Sequence, residues 1–145
     1  AAYEESLETA GSPPLAVLNI DRLRLAVPVY DGTDEFNLTR GAGRIEGTAR
    51  VDAEGNLGIA AHRDSFFRPL KDIEVGDTLD LKTAGGTVTY EVASIEIVEP
   101  EDVSVLAPTS ERTLTLVTCY PFYYVGHAPK RFIVKATAEH SLAKL

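Results

Sequence analysis

Residues 87–98, TVTYEVASIEIV, alternate apolar and polar side chains in two phases: Val88, Tyr90 and Val92 share one parity, Ile95 and Ile97 the other. A period of two marks a half-buried strand. A change of phase near Ala93–Ser94 is what a β-bulge or a sharp bend in a barrel strand produces. With residues 78–82 before it and TAGG between, the segment predicts a hairpin.

The rest of the chain has the same texture. Leu23, Leu25, Val27 and Val29 alternate with Arg22, Arg24, Ala26 and Pro28, which predicts another half-buried strand. Residues 45–52 and 57–61 read as short strands about the turn DAEGN, and 113–118 and 131–137 as the last two. Helical signals are few. TDEFNLTRGAG fits one or two turns, with Thr33 as cap and Gly41 as terminator. RDSFFRPLKDIEVGD lacks period two and holds Pro69, so a turn with a short 3₁₀ piece is expected. About eight short strands with hardly any helix predict an all-β, antiparallel-rich barrel, because closure removes exposed edges.

Several function classes fall away on composition. The chain has 145 residues, enough for one domain. Its 14 basic and 22 acidic side chains give a net charge of −8, which argues against nucleic acid as a partner. No run of about 18 apolar residues is present. The chain contains no Met, and we expect an upstream signal or membrane anchor to have been removed. In AAYEESLETA, Tyr3 and Leu7 are four apart and GSPP follows, so a short helix and a linker are expected over 1–14.

The chemistry centres on TLVTC, residues 115–119, whose last letter is the single cysteine. Free Cys is among the most buried residue types, so a small core residue is one reading. The other is a nucleophile at the edge of a Pro- and Gly-containing loop, where functional residues concentrate. Alternation puts Leu114, Leu116 and Thr118 on one face and Thr115, Val117 and Cys119 on the other, so the thiol is on the less apolar side. A thiol attacks as thiolate and needs an imidazole or a cation nearby. His62 follows the apolar LGIAAH, His127 lies in VGHAPK, and His140 lies in the tail. By residue type alone, His62 is equally a core or turn residue, and His127 is close enough in sequence to reach back. Arg131 opens the final strand twelve residues after the Cys. It suits an oxyanion; the other reading is an ordinary surface Arg at a strand start, a place Lys130 beside it would serve as well.

Taken together, the pentapeptide TLVTC, an Arg at the start of the next strand and a His 57 residues upstream resemble the sortases, bacterial cysteine transpeptidases. The resemblance runs roughly from Ile20 to Ala136. GIAAHRDSFFRPLKDIEVGD and TCYPFYYVGHAPKRFIV are most like the class D branch, including its proteobacterial members. It implies an eight-stranded sortase-type β-barrel with one or two short helices, a catalytic domain over 15–139 and a tail over 140–145. It also implies catalytic Cys119, His62 and Arg131, with Thr118 supporting the site by hydrogen bonding and Ala61 and Val117 lining it. The loop 99–112 corresponds to the segment that receives the Leu-Pro part of an LPXTG-like signal, with Val103, Val105, Leu106, Ala107 and Pro108 as an apolar lining. Those residues equally suit closing the core. Tyr120 and the aromatic loop after it suit either packing or a groove wall.

The expected partners are a sorting-signal protein and an amine acceptor, a cell-wall precursor or a protein Lys. The expected location is the extracytoplasmic face of the cell membrane, with the enzyme a monomer held by the absent anchor. Some sortases bind calcium near the Leu-Pro loop. Glu99, Glu101 and Asp102 lie there and Asp72, Glu74 and Asp77 elsewhere, but solvated acids are ordinary on such a surface, and we expect no metal and no cofactor. Two rivals compete. An L,D-transpeptidase-like protein would carry Ser-His-Gly-Cys, where this chain has Val117 and Thr118 before the Cys. A non-catalytic sortase-like barrel would bind signals or partner proteins without cutting them.

Overall fold

A computed structural model describes residues 13–122 and 126–139 of the chain. The expected helix over the first residues, Tyr123 and Tyr124, and His140 with the tail lie outside the described residues.

Eight strands close into a barrel: β1 (Ala16–Ile20), β2 (Leu25–Asp31), β3 (Ala42–Arg44), β4 (Asn56–Ala60), β5 (Thr78–Thr83), β6 (Gly86–Val98), β7 (Thr113–Tyr120) and β8 (Lys130–Ala138). Their order around the barrel is β1-β2-β3-β4-β7-β8-β6-β5, and β5 pairs back onto β1. The β2–β3 and β4–β7 pairs are parallel and the others antiparallel. Inward positions recur every second residue. Leu18 and Ile20, Val27 and Val29, Leu57 and Ile59, Leu79 and Leu81, and Leu114 and Leu116 are all buried in one core. Each such side chain contributes roughly 1.5–3 kcal/mol by leaving water.

The bulge expected in the long strand is present. Val92 pairs with Ala136 and Ser94 with Lys135, so Ala93 is the extra residue. Tyr90 and Val92 fill the core before it; after it Ile95 pairs with Val134. One inserted residue therefore resets the alternation so that Ile95 packs against the core, while Ile97 farther along the strand is exposed.

Four sequence expectations shift. Residues 45–52 are turns rather than strand, and β3 precedes them. The Arg44 guanidinium takes the carbonyls of Thr48 (2.6 Å) and Ala49 (2.9 Å), which bends the chain where it looked extended. The strand itself, AGR, carries no apolar alternation to read. Its Gly43 is required because a Cβ would sit 2.2 Å from the Gly32 carbonyl oxygen. The cap of the one α-helix among the described residues, α1 (Glu35–Arg40), is Asp34 rather than Thr33: the Asp34 carboxylate accepts from the Asn37 N–H at 2.9 Å. Leu23 ends a 3₁₀ turn, Asp21–Leu23, so the strand there starts at Leu25. Finally, β7 runs through Tyr120, so Cys119 lies inside a strand. The 3₁₀ piece expected after His62 spans Arg68–Asp72, with Phe67, Leu70 and Ile73 buried against the core.

Candidate active site

The outer faces of β4, β7 and β8 form a three-strand platform whose rows follow from the register. Gly58, Thr115 and Lys135 make one row, and Ala60, Val117 and Ile133 the next. Cys119 stands directly opposite Arg131 in the row after that. The parallel β4–β7 register, carried two residues past Ala60, brings His62 to the same level. The ladder does continue beyond the end of β4, since the Ala61 N–H donates to the Val117 carbonyl at 3.3 Å. Period two along β7 therefore turns Cys119 outward, away from Leu114 and Leu116 in the core. The thiol is free and half-buried.

Thr118 points the other way and is buried. Its hydroxyl donates to the Ala61 carbonyl at 2.7 Å, tying the residue before His62 to the residue before Cys119. On its far side His62 meets α1: ring Nε2 lies 3.1 Å and 3.3 Å from the two Glu35 carboxylate oxygens. The Arg131 guanidinium donates to the carbonyls of Lys130 (2.9 Å) and Ala128 (3.3 Å). Arg63 donates to the Gly126 carbonyl at 2.9 Å, linking the segment after His62 to the β7–β8 connection. His127 is exposed in that connection.

Above the platform lies the 3₁₀ turn Val103–Leu106, capped by Asp102, whose carboxylate accepts from the Ser104 N–H at 3.0 Å. Val103 is 74% exposed and Val105 buried. Leu106 covers β4, for a Cβ built on Gly58 would come 2.9 Å from Leu106 Cδ2. Ala107 and Pro108 are exposed. The chain below holds the turn. Asn56 Nδ2 donates to the carbonyls of Val105 and Ala107, each at 3.0 Å, and Lys135 Nζ donates to Val105 at 2.8 Å. Tyr120 has inward parity and stacks on Phe132 at 6.0 Å between centroids, with Phe122 set edge-on to both rings. Its ring is thus on the opposite face of β7 from the thiol.

Four of the six acids that suggested calcium have other partners: the Asp77 carboxylate holds Arg22, Asp72 pairs with Lys71, Glu99 pairs with Lys130, and Asp102 caps its turn. Glu35, Asn56 and Lys135 are the residues sequence reasoning missed. Asn56 carried a signal, a polar residue at the head of the apolar run LGIAA; Glu35 and Lys135 carried none, since solvated acids and bases are common.

A family model for the sortase domain matches residues 18–139. The chain is similar to Sortase D of Bacillus subtilis (strain 168), with 38% identity over 119 residues, covering 81% of this chain and 60% of that protein. It therefore spans about three-fifths of the length of that curated relative. Among solved structures, a Clostridium perfringens Sortase D5 transpeptidase is 28% identical with a TM-score of 0.79, over 97% of this chain and 90% of that one. Sortase C-1 from Actinomyces oris is 27% identical with a TM-score of 0.82, over 97% and 82%.

Proposed function

The chain belongs to the sortase family, and from that premise we propose that it is a cysteine transpeptidase acting on an LPXTG-like sorting signal at the cell surface. The observation that carries the reading is the pairing of Cys119 with Arg131 across β7 and β8, at the level where the β4 register brings His62.

In this mechanism the Cys119 thiolate attacks the carbonyl carbon of the signal's Thr. A C–S bond forms, and the negative charge on the former carbonyl oxygen is met by the Arg131 guanidinium. Collapse breaks the Thr–Gly C–N bond, and the leaving amine takes a proton from His62. An incoming amine then attacks the thioester, gives its proton to His62 and releases Cys119 as thiolate. The acceptor is a cell-wall precursor or a protein Lys; water in its place gives slow hydrolysis. Val117 shapes the floor, with Ala61 and Thr118 buried beneath it as support rather than lining, and Val103, Leu106, Ala107 and Pro108 form the wall for Leu and Pro, with Val105 buried behind them. Tyr120 stiffens the strand end beside the nucleophile through its aromatic partners. No helix among the described residues is long and apolar enough to cross a membrane, and a membrane anchor remains part of the proposal.

Incubation with a degenerate LP-X-T-X peptide pool, followed by mass spectrometry of the Cys119 adduct, tests the reading. An acyl adduct ending at Thr, absent in Cys119→Ala, is expected, and its absence from the wild type overturns transpeptidation. His62→Ala is expected to abolish turnover while His127→Ala leaves it intact; the reverse result reassigns the base.

A further inference from the structure

The turn 103–107 is held by the outer face of the barrel through a small polar network. Asn56 is 2% exposed and Thr115 is fully buried. The Thr115 hydroxyl donates to Asn56 Oδ1 at 2.6 Å, which orients the amide so that its NH₂ faces the turn. That NH₂ donates to two carbonyls, those of Val105 and Ala107. Lys135, the register partner of Thr115 on β8, adds a charged donor to the Val105 carbonyl. Three strands' worth of sequence thus converge on two peptide groups. The carbonyls of a 3₁₀ turn have few partners of their own, so the turn's position is set by the platform rather than by itself. Leu106, seated over Gly58, completes the attachment.

We propose that Asn56, Thr115 and Lys135 are positioning residues that fix the wall recognising the apolar part of the sorting signal. They touch neither the nucleophile nor the reacting carbonyl. They stand one and two rows below Val117, in line with Cys119. Their effect is on where Val103, Leu106 and Pro108 stand relative to the thiol. The network supplies a hydrogen-bonded brace made only of side chains of this chain. The assignment rests on the reading of 103–108 as the signal's wall.

The test uses Lys135→Met, which keeps the apolar stem, and Thr115→Val, which keeps the shape; neither leaves a large void. Each is compared with wild type in peptide kinetics and in amide hydrogen exchange over 99–112. Losing one bond of the network, that of Lys135 to the Val105 carbonyl or that of Thr115 to Asn56 Oδ1, is expected to raise KM for an LP-X-T-X peptide roughly tenfold with kcat unchanged. Exchange at 103–107 accelerates in the same variants. With a peptide whose Leu and Pro are replaced by Ala, wild type and variants converge, because the wall then has nothing to hold. Unchanged exchange at 103–107 overturns the brace. Accelerated exchange with unchanged KM, or an equal loss for both peptides, overturns its role in recognition. If wild type forms no acyl adduct with any peptide while Cys119 still alkylates, the transpeptidase reading fails separately, and recognition by the wall fails with it; the brace itself is still decided by exchange.

Discussion

Glu35 and His62 are joined across two elements, with the ring Nε2 3.1 Å from one carboxylate oxygen of an acid 27 residues earlier in the chain. An ionised carboxylate only accepts, so this contact selects the tautomer with the proton on Nε2. The nitrogen left to exchange protons with a substrate is then Nδ1. Both side chains are substantially exposed, 42% and 68%, so the pair is worth at most about 1 kcal/mol.

Glu35→Gln, which removes the charge and can present its amide either way round, is expected to lower kcat by about fivefold or less and leave KM unmoved. Nitrogen chemical shifts of the His62 ring should move from a single Nε2–H tautomer toward a mixture. A ring that keeps one tautomer in the variant would show that Glu35 does not select it.

Arg131→Ala is expected to lower kcat by about 10²–10³, the loss typical of one oxyanion donor. Arg131→Lys keeps the charge but not the planar fork of donors, so only part of the rate should return. Full recovery in the Lys variant, measured by single-turnover acylation, would mean that charge alone matters there.

Thr118→Val keeps the volume and removes the hydroxyl that serves the buried Ala61 carbonyl. Leaving that acceptor unpaired is expected to cost about 1–3 kcal/mol in urea unfolding. An unchanged midpoint would mean that the Ala61 carbonyl finds another partner.

Arg22 grips the Asp77 carboxylate through two nitrogens, at 2.8 and 2.7 Å. The hydrogen bond from Arg22 is the main cause that holds the Asp77 carboxyl below its usual value. A carboxylate lowered in this way stabilises the fold above its unfolded pKa, about 3.9, and loses that contribution as pH falls toward the folded value. The urea-midpoint gap between wild type and Arg22→Met should therefore be constant from pH 7 to pH 5 and shrink below about pH 4. A gap that persists undiminished at pH 2 would assign Arg22 a packing role instead.

Much of this molecule was legible as periodicity. The two-phase run 87–98 announced a bulged strand, and the bulge is at Ala93. Alternation in TLVTC already put Cys119 opposite the Leu pair, and the barrel keeps it there. What failed was legible in physical terms too. AGR makes a strand without one large apolar residue, because Gly43 is chosen for a close backbone approach. Residues 45–52 looked extended, yet Arg44 folds them back through two carbonyls. Such side-chain-to-backbone bonds have no period and leave no trace in a hydropathy pattern.

Local sequence by itself determined the long apolar strands, their alternation, and that the thiol lies on the less apolar face of its strand. Only the tertiary structure decided that the Cys119 thiol, the His62 imidazole and the Arg131 guanidinium share one level. That depends on the β4–β7 and β7–β8 registers, set by pairing between segments more than fifty residues apart and between neighbours. It also decided that Glu35 meets His62 and that Asn56 and Lys135 hold the turn 103–107, since a lone acid, amide or base acquires a partner only through closure of the barrel.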